Sequence, residues 1–186
     1  MRLFKMFFRV GAGSPIMGEA VERIASALNG GGGSSDLHQA CLRCSFVLSV
    51  DQAHAVHPNY ASKHEKGHCP KMNGGMVIKR NSNQRYATNG LTGFLIREVA
   101  KRAGLPPVQE FIVRNDCACG STIGPIISAA TGIRAIDMGC PQLSMHSIRE
   151  TMGVCDCKCM FTTECPKVDM LSSLICGSFV IFLTPQ

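Results

Sequence analysis

An α/β layered domain, with a mainly parallel or mixed sheet and flanking helices, is the fold class the sequence predicts. Apolar runs of strand length recur at 46–50, 76–79, 111–113 and 133–138. Between them stand segments whose apolar residues repeat at helical spacing, as Leu91, Phe94, Leu95, Val99 and Ala100 do. Alternation of the two patterns is the mark of strand–helix–strand units. With 186 residues and 45% apolar content, the chain is long enough to close one core around such a sheet.

Gly11-Ala12-Gly13-Ser14-Pro15 is expected to turn into the first helix, with Ser14 as N-cap and Pro15 at the first helical position. Ile16, Ala20, Ile24, Ala25 and Leu28 continue it at helical spacing, and the glycines at 30–33 with Ser34 and Ser35 end it in a linker. These glycines do not read as a phosphate loop, since no strand precedes them and no Gly-Lys-Ser/Thr follows. Phe46–Val50 is a continuous apolar run, which suits a strand buried on both faces. The stretch 57–75 reads as loop, 76–79 as the second strand and 81–86 as a polar segment. An amphipathic helix over 90–103 closes at Gly104. The third strand, 111–113, ends in Arg114-Asn115-Asp116, and a turn of small residues leads to a helix over 123–130. Gly132 stops that helix ahead of the fourth strand. After Glu150 neither period continues: Cys155, Cys157, Cys159 and Cys165 crowd together, and 170–183 carries no charge. A span needs about 20 residues, so this last run is expected to be a buried strand or an apolar tail.

Composition removes several function classes. The net charge of +6 is scattered rather than gathered into a stripe, and aromatics are only 6% with no Trp, so no nucleic-acid partner is expected. No membrane association is expected either. Eleven cysteines without a convincing signal peptide point to a reducing, cytoplasmic setting with free thiols. Cys41 and Cys44 have the spacing of a redox or metal pair but not its strand–helix context.

Chemistry is expected at strand ends, where α/β folds place their sites. Asp51 ends the first clear strand, His54 and His57 follow it, Asp116 ends the third, and His146 lies beyond the fourth. One carboxylate with several imidazoles on adjoining loops suits Zn²⁺, and equally suits polar residues satisfied by their neighbours. His57, before Pro58, reads as structural, and His64 and His68 as solvated in a charged loop.

The residue strings add more. Asp51-Gln52-Ala53-His54-Ala55-Val56-His57-Pro58-Asn59-Tyr60, Val77-Ile78-Lys79, Asn83-Gln84-Arg85-Tyr86-Ala87, Val113-Arg114-Asn115-Asp116, Gly120-Ser121-Thr122-Ile123-Gly124-Pro125 and Pro141-Gln142-Leu143-Ser144-Met145-His146-Ser147-Ile148-Arg149-Glu150 occur in this order. Together they closely resemble the aspartyl aminopeptidase family of dinuclear zinc metallopeptidases, and Gly11-Ala12-Gly13-Ser14-Pro15 resembles its plant-type members. The resemblance implies a catalytic-like domain over 11–150, between a divergent N-terminus at 1–10 and a divergent Cys-rich and apolar tail at 151–186. It implies release of an N-terminal Asp or Glu from peptides, two Zn²⁺ per site and a dodecameric homo-oligomer. Asp51 and His146 are then metal ligands, and His54, Lys79 and Tyr86 contact substrate.

Two departures from the family pattern shape the expectation for this chain. The family's Glu-Glu-Val-Gly segment supplies the general base and a further ligand, whereas residues 1–10 hold no carboxylate. The bridging aspartate and first histidine ligand are not matched either, so no catalytic base is assigned and the zinc set is incomplete. After Glu150 the Cys-rich tail stands where the family continues with a helix. A truncated or alternatively spliced product would account for both. The alternative function is a non-catalytic fragment that modulates assembly of the intact oligomer; a cysteine-tail zinc adaptor is a remote third reading.

Overall fold

The structure, a computed structural model, describes residues 11–31, 35–164 and 179–183. Helices α1 (Ile16–Leu28) and α2 (Ser35–Arg43) pack together ahead of strand β1 (Phe46–Val50). A short strand β2 (Ala53–His54), a 3-10 turn (Pro58–Lys63) and strand β3 (Val77–Arg80) follow. Then come α3 (Gly90–Arg102), β4 (Gln109–Ile112), α4 (Gly124–Thr131), β5 (Arg134–Gly139), β6 (Pro141–Leu143), β7 (Thr151–Met152), α5 (Val154–Glu164) and β8 (Phe179–Leu183).

Among the described residues, five strands form the main sheet in the order β4-β3-β5-β1-β8. β1 runs parallel to β5 and β8, β3 runs parallel to β4, and β3 meets β5 antiparallel, so the sheet is mixed. A smaller sheet, β2-β6-β7, continues from it. The two are one ladder along a shared seam: Asp51, Ala53 and Ala55 donate in turn to the carbonyls of Met138, Cys140 and Gln142. Gly139 lies at the bend, where a Cβ would stand 2.1 Å from the Asp51 carbonyl oxygen. Only glycine fits there.

Because side chains alternate along a strand, the two faces of the sheet collect different residues. Phe46, Leu48, Val50, Ile78, Ile136 and Met138 form one buried cluster, into which α3 sends Ile96 and Val99 and α5 sends Met160. Val47 and Ala135 face the other way, against Met17 of α1, Leu42 of α2 and Ile127 of α4. Helices thus cover both faces, as the layered expectation required.

Local chemistry accounts for the helix ends. Asn89 and Thr92 form a reciprocal capping box at the start of α3, and Lys101 and Arg102 stand in its last turn, where the helix dipole favours cations. Gly132 ends α4 in the left-handed conformation, φ 70°, with its N–H on the Ser128 carbonyl.

Four sequence expectations differ from the structure. Pro15, not Ser14, is the N-cap of α1, with no side-chain cap; Ser14 instead closes a turn by donating its N–H to the Gly11 carbonyl. Helix α2 was not foreseen, because it is only nine residues long and lies between the glycine linker and β1. His64 is buried against Phe111 (ring centroids 5.5 Å apart) rather than solvated, because Glu65 and Arg114 backbone bonds pin its loop along the edge of β4. Finally, residues 154–164 are helical although their sequence shows no clean period. Asp156 is fully buried and accepts from the N–H groups of Asn73 and Gly75 at 2.6 and 2.8 Å, which fastens α5 to the body. Of the uncharged run 170–183, residues 179–183 pair with β1 as β8, and 170–178 lie outside the described residues, as do 1–10 and Cys165.

Candidate functional site

Strand pairing brings the predicted residues toward one rim of the main sheet. Lys79 sits in β3 between two neighbours on its own face: Phe111 is its registered partner in β4, and the antiparallel register with β5 carries it opposite Asp137. Ser49, in β1, is the registered partner of Asp137 on the other side. One row across the sheet therefore reads Phe111, Lys79, Asp137, Ser49, and Asp51 follows Ser49 by two residues.

Lys79 and Asp51 form an ion pair at 3.1 Å, with the ammonium almost wholly buried and the carboxylate partly exposed. Burial pushes the Lys79 pKa down, while Asp51 and Asp137 pull it back up. The Tyr86 ring lies 5.5 Å from the ammonium and packs edge-on to Phe111. Cys119 Sγ lies 3.4 Å from the Tyr86 hydroxyl, within hydrogen-bond distance. Burial holds the Tyr86 pKa well above its usual value, so it stays a phenol.

His54 marks where the elements meet. Its pKa is lowered by burial and by Lys79, His146 and His64, and raised only by Asp51. The ring keeps an exposed edge and tilts over Phe111 at 6.1 Å. His146 comes in on the loop after β6, in the left-handed conformation at φ 70°, with its N–H and imidazole both turned to Glu150. Its side chain is 41% exposed.

A zinc ion takes three or four protein donors. Among the described residues no group of three or more His, Cys, Asp or Glu side chains is arranged to hold a metal ion, and Asp51 is already engaged by Lys79. Asp51 and His146 fit as contributors of single donors and do not amount to a complete set. No disulfide links the nine cysteines among the described residues. His57 uses Nδ1 to accept from the Asn59 N–H at 3.1 Å and so caps the 3-10 turn, and Asp116 is tied to Arg114 at the surface. A cleft lined by Arg97, Lys101, Leu105, Pro106, Pro107 and Val108 lies elsewhere and includes none of the site residues.

Sequence reasoning passed over Asp137, Ser49, Phe111 and Cys119. Asp137 carried a readable signal: it is the one charge inside the apolar run Ala135-Ile136-Asp137-Met138.

Comparison with known proteins settles the family. The profile of the family described as aminopeptidase I zinc metalloprotease (M18) matches residues 8–163. The chain belongs to the M18 family. The match includes the first helices and nearly all of α5. A probable aspartyl aminopeptidase of Ricinus communis is 57% identical over 148 residues, which is 80% of this chain and 29% of that one. An aspartyl aminopeptidase of Dictyostelium discoideum is 50% identical over 150 residues, 78% of this chain and 31% of that one. The chain thus spans a little under one third of the length of these relatives. Among solved structures, the cryo-EM structure of the Ape4 and Nbr1 complex superposes with a TM-score of 0.81 at 40% identity, covering 92% of this chain and 32% of that one. The S. cerevisiae mApe1 dodecamer gives 0.72 at 32% identity, covering 86% and 34%. The mixed α/β fold is therefore the M18 aminopeptidase fold, and the family description brings zinc with it. Among the described residues no helix is long and apolar enough to cross a membrane.

Proposed function

We propose that this M18 chain forms one wall of a zinc aminopeptidase site that releases N-terminal Asp or Glu from peptides. In this reading Asp51 and His146 each offer one donor to a zinc pair, and His54, Lys79 and Tyr86 meet the peptide. The observation that carries it is the buried Lys79 ammonium, held by Asp51 with the Tyr86 phenol beside it. A cation in a poorly hydrated place suits an acidic side chain or carboxylate, and a phenol that keeps its proton suits a developing oxyanion. Zinc, when bound, would polarise the scissile carbonyl and activate water; the residues on hand bind and orient.

The general base and bridging ligand are not supplied by these residues, and the chain alone is expected not to turn over. Purified chain given an N-terminal Asp or Glu peptide and Zn²⁺ tests this. Turnover lost in Asp51→Ala would show that base and bridge are present after all, and two zinc ions bound per chain would contradict an incomplete ligand set. The name of the mApe1 dodecamer supports a second reading, in which the cytoplasmic chain joins and modulates a homo-oligomer of intact enzyme. Absence of turnover together with co-purification with a full-length family member would favour it.

A further inference from the structure

Asp137 is the buried charge that the proposed substrate contacts leave unexplained. It is fully buried in β5, and burial pushes its pKa up although Ser49, Thr122 and the Ala87 N–H draw it back. Neither hydroxyl completes a hydrogen bond with Oδ1, which stays unpaired among the described residues. The bonds that Asp137 does complete run to one segment. Oδ2 accepts from the Ala87 N–H at 2.6 Å, its own N–H donates to Thr88 Oγ1 at 3.0 Å, and that hydroxyl lies 3.3 Å from the Asp137 carbonyl. Helix α4 also starts against the carboxylate, since a Cβ on Gly124 would lie 2.5 Å from Oδ2. A buried carboxylate is costly to hold, so its tethers need a reason. The residue next to this anchor is Tyr86.

We propose that Asp137 is a positioning residue: by holding the Ala87 N–H and the Thr88 hydroxyl it fixes the Tyr86 ring beside Lys79, so that an acidic peptide terminus meets a preformed cation–phenol pair. The inference rests on the reading of Lys79 and Tyr86 as substrate contacts. Asp137 itself touches no substrate; it acts through Tyr86, and a pair already in place avoids the ordering cost at binding.

The test uses the full 186-residue chain with Asp137→Ala and Asp137→Asn. Residue-resolved amide exchange should show the Ala87 N–H losing protection by about tenfold or more in Asp137→Ala, with the amides of Phe46–Val50 unchanged. Asp137→Asn keeps an oxygen acceptor and should restore most of that protection, together with the ring contact between Tyr86 and Phe111 seen by NMR. In parallel a dipeptide with N-terminal aspartate is titrated while the Tyr86 signals are followed. Affinity should fall about tenfold in Asp137→Ala and less than about threefold in Asp137→Asn. Unchanged protection at Ala87 in Asp137→Ala overturns the proposal. Loss spread equally over Phe46–Val50 also overturns it, because that marks a purely structural carboxylate. If Asp137→Ala does not fold, Asp137→Leu fills a similar volume without an acceptor for the Ala87 N–H, and the same readouts decide. A wild-type chain that ignores the dipeptide removes the substrate reading alone, and the exchange result still decides whether Asp137 places Tyr86.

Discussion

On one face of the central strands, Phe46, Leu48, Val50, Ile78, Ile136 and Met138 meet α3 and α5 with no polar side chain among them. On the other, Val47 and Ala135 give way within two residues to Ser49 and Asp137, and Lys79 lies alongside. The same strands supply both faces, so backbone pairing cannot account for the contrast. The apolar face gains free energy from every residue it removes from water. On the graded face Lys79 has its pKa lowered by burial and Asp137 has its pKa raised. For each, the charged form is harder to keep in the folded chain than in the unfolded one, which opposes folding. One face holds the domain together, and the other preserves a charged site at a cost to stability.

Substitutions can break or sharpen that contrast. Ile136→Ala empties a fully buried position on the apolar face. It should cost about 2–5 kcal/mol in urea unfolding, the largest effect expected. Asp156→Ala leaves the Asn73 and Gly75 N–H groups without their acceptor and frees the helix that caps this face. A loss of about 2–3 kcal/mol is expected in the same measurement, and no loss would mean that α5 is not integral to the fold. Ser49→Ala, fully buried on the graded face, should cost no more than about 1–2 kcal/mol. A loss as large as that of Ile136→Ala would erase the distinction between the faces.

Acid gives the smallest effect and fixes its sign. Burial lowers the His64 pKa below its ordinary 6.5, so the unfolded chain binds the proton more readily. The His64 contribution is complete above about pH 6.5 and is lost as pH falls through the folded value. His54 acts in the same direction. Chemical denaturation across this range should show stability declining toward acid, and His64→Phe should flatten the slope.

Patterned residues made much of this legible in advance. Phe46–Val50 was read at its true bounds because a five-residue apolar run ending in Asp51 admits little else. The amphipathic spacing of Leu91 to Ala100 and the stop at Gly104 located α3 to within a residue. Helix α5 was hidden because its anchor, Asp156, is polar and buried, and its partners Asn73 and Gly75 are some eighty residues away in sequence. His64 was misread for a related reason: its burial depends on Phe111, which joins it only when the loop lies along β4. The site followed the same rule. Asp51 and His54 stood out beside a strand end, whereas the Asp137 links to Ala87 and Thr88 exist only after three strands have paired.

Gly139 and the seam it bends give the site a ruler. Segments 46–55 and 134–143 advance side by side without a break, from Phe46 opposite Arg134 to His54 opposite Gln142. A slip of one residue along that seam would turn Asp51 to the opposite face of the sheet. A slip of two would keep the face but displace it by about 6.6 Å relative to the loop bearing His146. The spacing between those two side chains is thus counted out in backbone hydrogen bonds, and no direct contact between them is needed to set it.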